Sequence, residues 1–162
     1  EKTNLNLIIE QVTQDLSEEL LQKNAIIETD KACMVSIIPF QFKQLFYNLI
    51  SNSLKFSNPE KPVRITIKNE YVYGNSLEGE NFVDDTKYCH ITYSDNGIGF
   101  EQKYSEKIFE LFQRLYGRSE YPGTGIGLAI IKRIVENHHG IITAQSELGK
   151  GATFNIFLPV ED

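Results

Sequence analysis

The chain has 162 residues, of which 41% are hydrophobic and 23% charged, and it carries a net charge of −6. This length and composition predict a single globular domain, and the acidic balance argues against sequence-independent nucleic-acid binding, which needs a basic surface. Cys33 and Cys89 belong to no Cys–His cluster, which argues against a structural zinc site and predicts two buried, reduced thiols.

The N-terminal quarter predicts a helix followed by a hairpin. Apolar residues at three- and four-residue spacing predict a helix over residues 1–24, with Thr3 or Asn4 as its cap. Residues 25–38 predict two short strands around a turn at Asp30-Lys31.

The rest of the chain alternates between helices and strands. In chain order the sequence predicts a helix from Pro39 to about Ser57, a strand over 63–73, a polar connection over 74–87, a returning strand over 88–94, a long helix from the glycine run at 123–127 to Gly140, and a closing hairpin over 141–159. Gly140 is expected to cap its helix in the left-handed conformation. This order predicts an α+β fold, with helices stacked on one face of a largely antiparallel sheet.

Three polar residues share one face of the helix that begins at Pro39. Asn48, Asn52 and Lys55 are spaced i, i+4 and i+7, so they line up along a face that points away from the apolar stripe. An amide oxygen can coordinate Mg²⁺, which prefers oxygen ligands, and a lysine one turn on can meet phosphate charge. A solvated polar face explains the same pattern, so this helix alone does not decide between the two.

The segment "DNGIGF" places a carboxylate at the end of a predicted strand. Gly97 and Gly99 permit a sharp turn and a close approach to a ligand. The carboxylate of Asp95 accepts hydrogen bonds only, so the exocyclic amine of adenine is a suitable donor. An ordinary Asp-Asn-Gly turn is the competing interpretation.

Two further glycine segments follow. "GTGIGLAI" (123–130) opens a helix whose N–H groups and dipole favour an anion, although it matches neither a P-loop nor a Rossmann turn. "GKGATF" (149–154) leads into a strand and offers the hydroxyl of Thr153, but a hairpin turn alone explains it.

Taken in this order, these motifs resemble those of the catalytic, ATP-binding domain of sensor histidine kinases. That family lies within the superfamily of gyrase, the heat-shock chaperone, mismatch-repair ATPases and histidine kinases. The matching segments are the N box at 48–57, the first glycine box at 95–100, the phenylalanine box at 108–115, and the second and third glycine boxes at 123–130 and 149–154. The resemblance covers residues 5–159.

The resemblance implies a Bergerat-type two-layer α/β sandwich that binds ATP and Mg²⁺ under a lid at 114–122. It implies catalytic roles for Asn48 and Lys55, an Mg²⁺ ligand in Asn52, and an adenine contact in Asp95, with Thr153 closing the base side. The nucleotide-binding residues implied are Asn48, Asn52, Lys55, Phe56, Asp95, Gly97, Gly99, Arg114, Gly123, Thr124, Gly125, Ile126, Gly127, Leu128 and Thr153.

The resemblance also implies a function and partners. Residues 1–162 form one catalytic domain that transfers the γ-phosphoryl of ATP to a histidine on a separate dimerisation bundle, expected N-terminal of residue 1, and the complete homodimeric protein passes it to a response regulator receiver domain. Hydrolysing relatives carry Glu where this chain has Asn48, and a neutral amide is no general base. The isolated domain is expected to be a monomer without nucleic-acid or membrane contact, and His90, His138 and His139 are expected to be structural.

Two alternatives remain. One is a degenerate nucleotide-binding scaffold without kinase activity. The other is a mechanical ATPase or an anti-sigma-type serine kinase of the same fold, against which Asn48 and the phenylalanine box argue. With no signal peptide and no apolar run of about 20 residues that could cross a bilayer, a cytoplasmic location is expected.

Overall fold

Helices and strands alternate along the chain. The structure, a computed structural model, describes residues 1–31, 33–77, 79, 82–110 and 127–160. Its elements are β1 (Lys2–Asn4), α1 (Leu5–Asp15), α2 (Ser17–Gln22), β2 (Ile26–Thr29), β3 (Met34–Ser36), α3 (Pro39–Lys55), β4 (Arg64–Tyr73), β5 (Lys87–Asp95), α4 (Gly127–Asn137), β6 (Ile141–Glu147) and β7 (Gly151–Pro159). Short 3₁₀ turns occupy Gly74–Ser76, Gln102–Tyr104 and Lys107–Phe109. Within the described ranges, no helix has the length and apolar character that crossing a bilayer requires.

The main sheet has five strands in the order β2-β4-β5-β7-β6. β2 runs parallel to β4, and the other three pairings are antiparallel. The prediction of a mixed, mostly antiparallel sheet is therefore confirmed. Both hairpins predicted after α3 are present, with Tyr73 opposite Lys87 and Glu147 opposite Gly151 at their closed ends.

The hairpin predicted over residues 25–38 is wrong. β2 pairs with β4 in the main sheet, whereas β3 pairs antiparallel with β1 in a separate two-stranded sheet. The N–H of Asp30 continues the first pairing by donating to the carbonyl oxygen of Ile67 at 3.2 Å. Short apolar runs predict that strands form, but their partners are chosen by side-chain packing between distant segments.

The helix predicted over residues 1–24 is divided into β1, α1 and α2. Asn4 caps α1, as predicted, because its side chain accepts a hydrogen bond from the N–H of Asn6 at 2.9 Å. Leu16 leaves the helical conformation, with φ −103° and ψ 16°. Leu16 and Leu20 nevertheless stay buried, so both helices present their apolar residues to one core.

The helices form one layer and the main sheet the other. Alternate residues of a strand point to opposite faces of the sheet, and one face carries the buried neighbours Ile67, Tyr93 and Phe154. α3 lies on this face, since the hydroxyl oxygen of Ser53 is 2.7 Å from that of Tyr93. α1 and α4 pack against α3. We call this side of the sheet the helix face and the other side the outer face.

The long connection between β4 and β5 covers part of the outer face. The ring of Phe82 meets those of Phe157 and Tyr88 edge-on, with centroids 4.9 and 5.5 Å apart. His90 stacks on Phe157 at 4.2 Å, consistent with its predicted structural role. The sequence suggested no role for this connection, and the structure shows that its Phe82 packs against the buried rings of Tyr88 and Phe157.

The C-terminus of α4 differs from the prediction. His139, not Gly140, adopts the left-handed conformation, with φ 61°. The N–H of Gly140 donates to the carbonyl oxygen of Val135 at 2.9 Å, and that of His139 to the carbonyl oxygen of Glu136 at 3.0 Å, which is the Schellman pattern. Gly140 is needed for space, since a Cβ there would lie 2.6 Å from the carbonyl oxygen of Phe157.

His138 links α4 to the start of α3. Its Nε2 accepts a hydrogen bond from the backbone N–H of Ile38 at 2.9 Å, and its Nδ1 lies 2.7 Å from the carbonyl oxygen of Ile134. Its ring also meets that of Phe42 edge-on at 4.7 Å. Because Nε2 accepts, Nδ1 carries the proton, and both nitrogens serve the packing of the two helices.

Cys33 and Cys89 are free and buried, as predicted. They are distant in sequence, yet the interaction between the two thiols lowers the pKa of Cys33 and raises the pKa of Cys89, and the thiol of Cys89 donates to Oδ1 of Asn69 at 3.8 Å. Burial raises the pKa of Cys89 further. The thiol of Cys89 therefore keeps its proton.

Candidate functional site

Three hydrogen bonds hold the carboxylate of Asp95 at the end of β5. Its Oδ1 accepts hydrogen bonds from the backbone N–H groups of Gly97 and Ala152, each at 3.1 Å. Its Oδ2 accepts one from the hydroxyl of Ser53 at 2.6 Å. A carboxylate offers about four acceptor positions, so these contacts leave room for one further donor, and the half-buried side chain is accessible to it.

The hydroxyl of Ser53 also contacts a fully buried tyrosine. The hydroxyl oxygen of Tyr93 lies 2.7 Å from that of Ser53, and the two residues are 0% and 3% exposed. Burial raises the pKa of Tyr93 well above its ordinary value, and the negative charge of Asp95 raises it further. Tyr93 is therefore a neutral phenol that can donate a hydrogen bond.

Gly97 and Gly99 make room for the chain itself. A Cβ at Gly97 would lie 2.6 Å from the carbonyl oxygen of Phe56. Gly99 has φ 67°, and a Cβ there would collide with the carbonyl oxygen of Glu147 and lie 2.8 Å from that of Gly151. The sequence predicted a close approach of ligand at these glycines, and the structure shows a close approach of the neighbouring backbone.

Hydrogen bonds hold the loop after β5 between α3 and the β6–β7 turn. The N–H of Ile98 donates to the carbonyl oxygen of Phe56 at 2.9 Å, and the N–H of Gly149 donates to the carbonyl oxygen of Ile98 at 2.7 Å. The N–H of Phe100 donates to the hydroxyl of Ser146 at 2.8 Å. Three separate segments are thereby joined around Asp95.

The predicted polar face of α3, which carries Asn48 and Asn52, lies next to the first residue of α4, Gly127. The side-chain amide of Asn48 donates to the carbonyl oxygen of Gly127 at 3.5 Å. A Cβ at Gly127 would lie 3.7 Å from Nδ2 of Asn52. Both asparagines are half-buried, and Lys55, in the last turn of α3, is exposed. The structure therefore brings two amide side chains to the positive end of the α4 dipole.

Part of the predicted site lies outside the described residues. This applies to Arg114, Gly123, Thr124, Gly125 and Ile126, and to the predicted lid at 114–122. Gly127 and Leu128 are described; they are the first two residues of α4, and both are half-buried. Of the predicted phenylalanine box, Ile108 and Phe109 are buried, and the ring of Phe109 lies 6.2 Å from that of Phe154.

Thr153 does not lie beside Asp95, Asn48 and Asn52. It pairs with Ser94 in the β5–β7 register, and its hydroxyl lies 3.0 Å from that of Ser94, on the outer face. Asp95 follows Ser94 and points to the helix face. The prediction that Thr153 closes the base side therefore conflicts with the structure, and the neighbouring Ala152 reaches Asp95 through its backbone N–H instead.

Sequence reasoning missed Ser53, Tyr93 and Ala152. Ser53 falls within the apolar stripe of α3 and is buried among its leucines and phenylalanines. A polar residue on a buried face needs a hydrogen-bond partner, so its position was a usable signal. Tyr93 and Ala152 gave none, because a core tyrosine and a backbone N–H look ordinary in a sequence.

Comparison with protein families gives a match over most of the chain. The model described as "Histidine kinase-, DNA gyrase B-, and HSP90-like ATPase" matches residues 38–162. Similar proteins include cyanobacterial phytochrome A of Nostoc sp., 37% identical over 98% of this chain, and phytochrome-like protein Cph1 of Synechocystis sp., 35% identical over 98%. The chain spans 19% of the length of each of these relatives.

A sensor kinase and two solved structures give further similarities. The autoinducer 2 sensor kinase/phosphatase LuxQ of Vibrio vulnificus is 37% identical over 80% of this chain, which spans 14% of that protein. The catalytic domain of histidine kinase ThkA has a TM-score of 0.74 at 24% identity, covering 98% of this chain and 94% of that one. A mycobacterial sensor histidine kinase, MprB, has a TM-score of 0.77 at 20% identity, covering 98% and 96%. The predicted fold is confirmed.

Proposed function

The chain belongs to the family of histidine kinase-, DNA gyrase B- and HSP90-like ATPases, and from that premise we propose that it is the ATP-binding catalytic domain of a sensor histidine kinase. The carrying observation is the set of hydrogen bonds that hold Asp95 on the helix face, with an acceptor position left for a donor. A carboxylate held in this way suits the exocyclic amine of adenine, which donates and does not accept there.

The polar residues of α3 suit the phosphate end of the nucleotide. Asn48 and Asn52 lie at the start of α4, where backbone N–H groups and the helix dipole favour negative charge. We propose that the amide oxygen of Asn52 ligates Mg²⁺ and that Lys55 neutralises phosphate charge. Bound Mg²⁺ would supply charge neutralisation of the transferred phosphoryl group, and the amide and carbonyl oxygens present are the ligands it prefers.

Transfer to a partner fits the site better than hydrolysis. Asn48 is neutral and donates to the carbonyl oxygen of Gly127, so it is not a general base for water. His138 and His90 are poorly placed as acceptors, because both nitrogens of His138 are hydrogen-bonded and His90 lies on the outer face. We propose that the acceptor imidazole belongs to a helical bundle of the parent protein. The bond between the γ-phosphorus and the bridging oxygen breaks, a phosphorus–nitrogen bond forms, ADP leaves, and the imidazole gives its proton to a base on the same bundle.

The wider assignments are part of the same proposal. Residues 1–162 act as one catalytic domain, monomeric when isolated, of a homodimeric cytoplasmic kinase that passes the phosphoryl group to a response regulator receiver domain. The similarity to the sensor kinase/phosphatase LuxQ of Vibrio vulnificus supports this assignment. Arg114 and the glycines of 123–125 complete the nucleotide site in this proposal.

The test is phosphoryl transfer in the presence of the parent's histidine-bearing bundle. The chain, Mg²⁺ and γ-labelled ATP are expected to produce acid-labile, base-stable label on the bundle and little free phosphate without it. Asn52→Ala is expected to abolish transfer. Asn137→Ala, an exposed asparagine at the end of α4, is the matched control and should leave it intact.

The outcomes separate the candidate functions. Binding of ATP by the wild-type chain without transfer would contradict the kinase proposal and favour a nucleotide-binding scaffold. Sustained hydrolysis by the isolated chain would favour the mechanical ATPase instead.

A further inference from the structure

We infer that Tyr93 and Ser53 form a buried, one-directional hydrogen-bond relay that positions Asp95 and so sets the selectivity of the site for adenine. The inference rests on the proposed function, because it concerns the base of the same nucleotide. Neither residue belonged to the predicted site, and neither is placed to touch the nucleotide through its own side chain. Both are positioning residues that act through Asp95.

The direction of the relay follows from what each group can donate. The carboxylate of Asp95 has no proton to give, so the hydroxyl of Ser53 donates to its Oδ2 at 2.6 Å. Ser53 has a single proton, and that proton is committed to Asp95. The contact of 2.7 Å between Ser53 and Tyr93 therefore has Tyr93 as its donor.

Burial makes this direction permanent. Tyr93 is 0% exposed and Ser53 is 3% exposed, so water does not compete for either hydroxyl. Desolvation keeps the phenol of Tyr93 neutral, and the charge of Asp95 strengthens that preference by raising its pKa. A neutral phenol remains a donor at every pH at which the fold persists, and chains of hydrogen bonds polarise one another in a low-dielectric interior.

The relay acts on the oxygen of Asp95 that has room for a ligand. Oδ1 already accepts two backbone N–H groups, from Gly97 and Ala152, whereas Oδ2 accepts only the hydroxyl of Ser53 among the described residues. Holding Oδ2 by one directed bond fixes where its remaining acceptor position points. A base that presents a donor there is favoured, and a base that presents a carbonyl oxygen is repelled by the carboxylate.

Adenine and hypoxanthine separate this role from simple core packing. Adenine carries an amino group where hypoxanthine carries a carbonyl oxygen, and ATP and inosine triphosphate are otherwise alike at the sugar and phosphates. Loss of positioning at Asp95 should weaken ATP alone and leave inosine triphosphate unchanged. Loss of general stability should weaken both nucleotides equally.

The experiment measures dissociation constants of Mg·ATP and Mg·inosine triphosphate by calorimetry for the wild type, Tyr93→Phe and Ser53→Ala. The wild type is expected to prefer ATP. Each variant is expected to bind ATP about tenfold more weakly, the scale of a lost hydrogen bond that supports a charged group, and to bind inosine triphosphate as before. Tyr88→Phe is the matched control: its hydroxyl accepts the N–H of Val83 at 3.1 Å on the outer face, and the preference for ATP should survive its removal.

The outcomes distinguish this inference from the proposed function. If the wild type prefers ATP and both variants keep that preference, the relay is overturned and the nucleotide site stands. An equal loss of both nucleotides would also overturn the relay and show a structural role. If a folded wild type binds neither nucleotide, the proposed function fails and the relay fails with it. Ser53→Ala decides the question if Tyr93→Phe does not fold, since it leaves the tyrosine ring in place.

Discussion

Two glycines of the β6–β7 turn separate the effect of backbone conformation from that of close packing. Gly149 and Gly151 both have positive φ, at 82° and 90°. A Cβ at Gly149 would meet nothing within 4 Å. A Cβ at Gly151 would collide with the carbonyl oxygen of Asp95 and lie 3.0 Å from the Cα of Asn96. The pair therefore provides a perturbation and its control two residues apart.

The magnitudes follow from these contacts. Placing alanine in a left-handed conformation costs roughly 1–2 kcal/mol, and the stiffer unfolded chain offsets about 0.4–1 kcal/mol of that. Gly149→Ala should therefore destabilise the protein by about 1 kcal/mol. Gly151→Ala carries the same cost, and the collision with backbone that cannot rotate away adds roughly 1–3 kcal/mol. Moving β7 also weakens the bond from Ala152 to Asp95, so the expected total is about 3–4 kcal/mol.

Urea unfolding of both variants measures the difference. With a slope of about 2 kcal/mol per molar urea, a difference of about 2–3 kcal/mol should separate the two midpoints by about 1–1.5 M. Equal midpoints for the two variants would refute the reasoning, because they would show that β7 does not approach Asp95 as closely as the structure places it. A large loss in Gly149→Ala would show that conformation, and not contact, dominates the turn.

Three further predictions concern the stability of the fold. Burial raises the pKa of Tyr93 above its ordinary value of 10, so above pH 10 the folded chain keeps a proton that the unfolded chain releases. The contribution of this proton to the free energy of unfolding is therefore fully present below pH 10 and falls above it, by about 1.4 kcal/mol at pH 11. Chemical unfolding at pH 9 and pH 11 should show that Tyr93→Phe removes this part of the decline. His138→Ala should lower stability by about 1–2 kcal/mol, since it removes the hydrogen bond from the N–H of Ile38 and the edge contact with Phe42, and an unchanged melting temperature would contradict the linkage of α3 to α4. Phe82→Ala should lower stability by about 2 kcal/mol through its lost contact with Phe157, while ATP affinity stays constant, because the contact lies on the outer face.

The sequence predicted those parts of the fold that depend on local periodicity. α3 begins at Pro39 and ends at Lys55, close to the predicted bounds, because its apolar stripe repeats over several turns. The pairing of β4 with β5 was predictable because a polar connection joins them directly in the chain. The partner of β2 was not predictable in this way, since it is a parallel neighbour on the far side of α3 in sequence.

The candidate site was predictable in its residue types more than in its geometry. Asp95 lies at the end of β5 on the helix face, and Asn48 and Asn52 lie on α3 near the start of α4, while their roles stay predictions. Thr153 lies on the outer face because side chains alternate along a strand, and the motif alone did not give the register. The contact between Ser53 and Tyr93 was not predictable, because the two residues lie 40 positions apart on different elements.

Calorimetric titration of Mg·ATP into the wild-type chain and Asp95→Asn tests the central claim most directly. The amide of the variant turns a donor towards the amine of adenine, so we predict at least a tenfold loss of affinity, about 1.4 kcal/mol. Glu60→Gln, which removes an exposed carboxylate in the connection after α3, should bind as the wild type does. Equal affinity in the wild type and Asp95→Asn, or no binding by a folded wild type, would contradict the assignment of this face as an adenine nucleotide site.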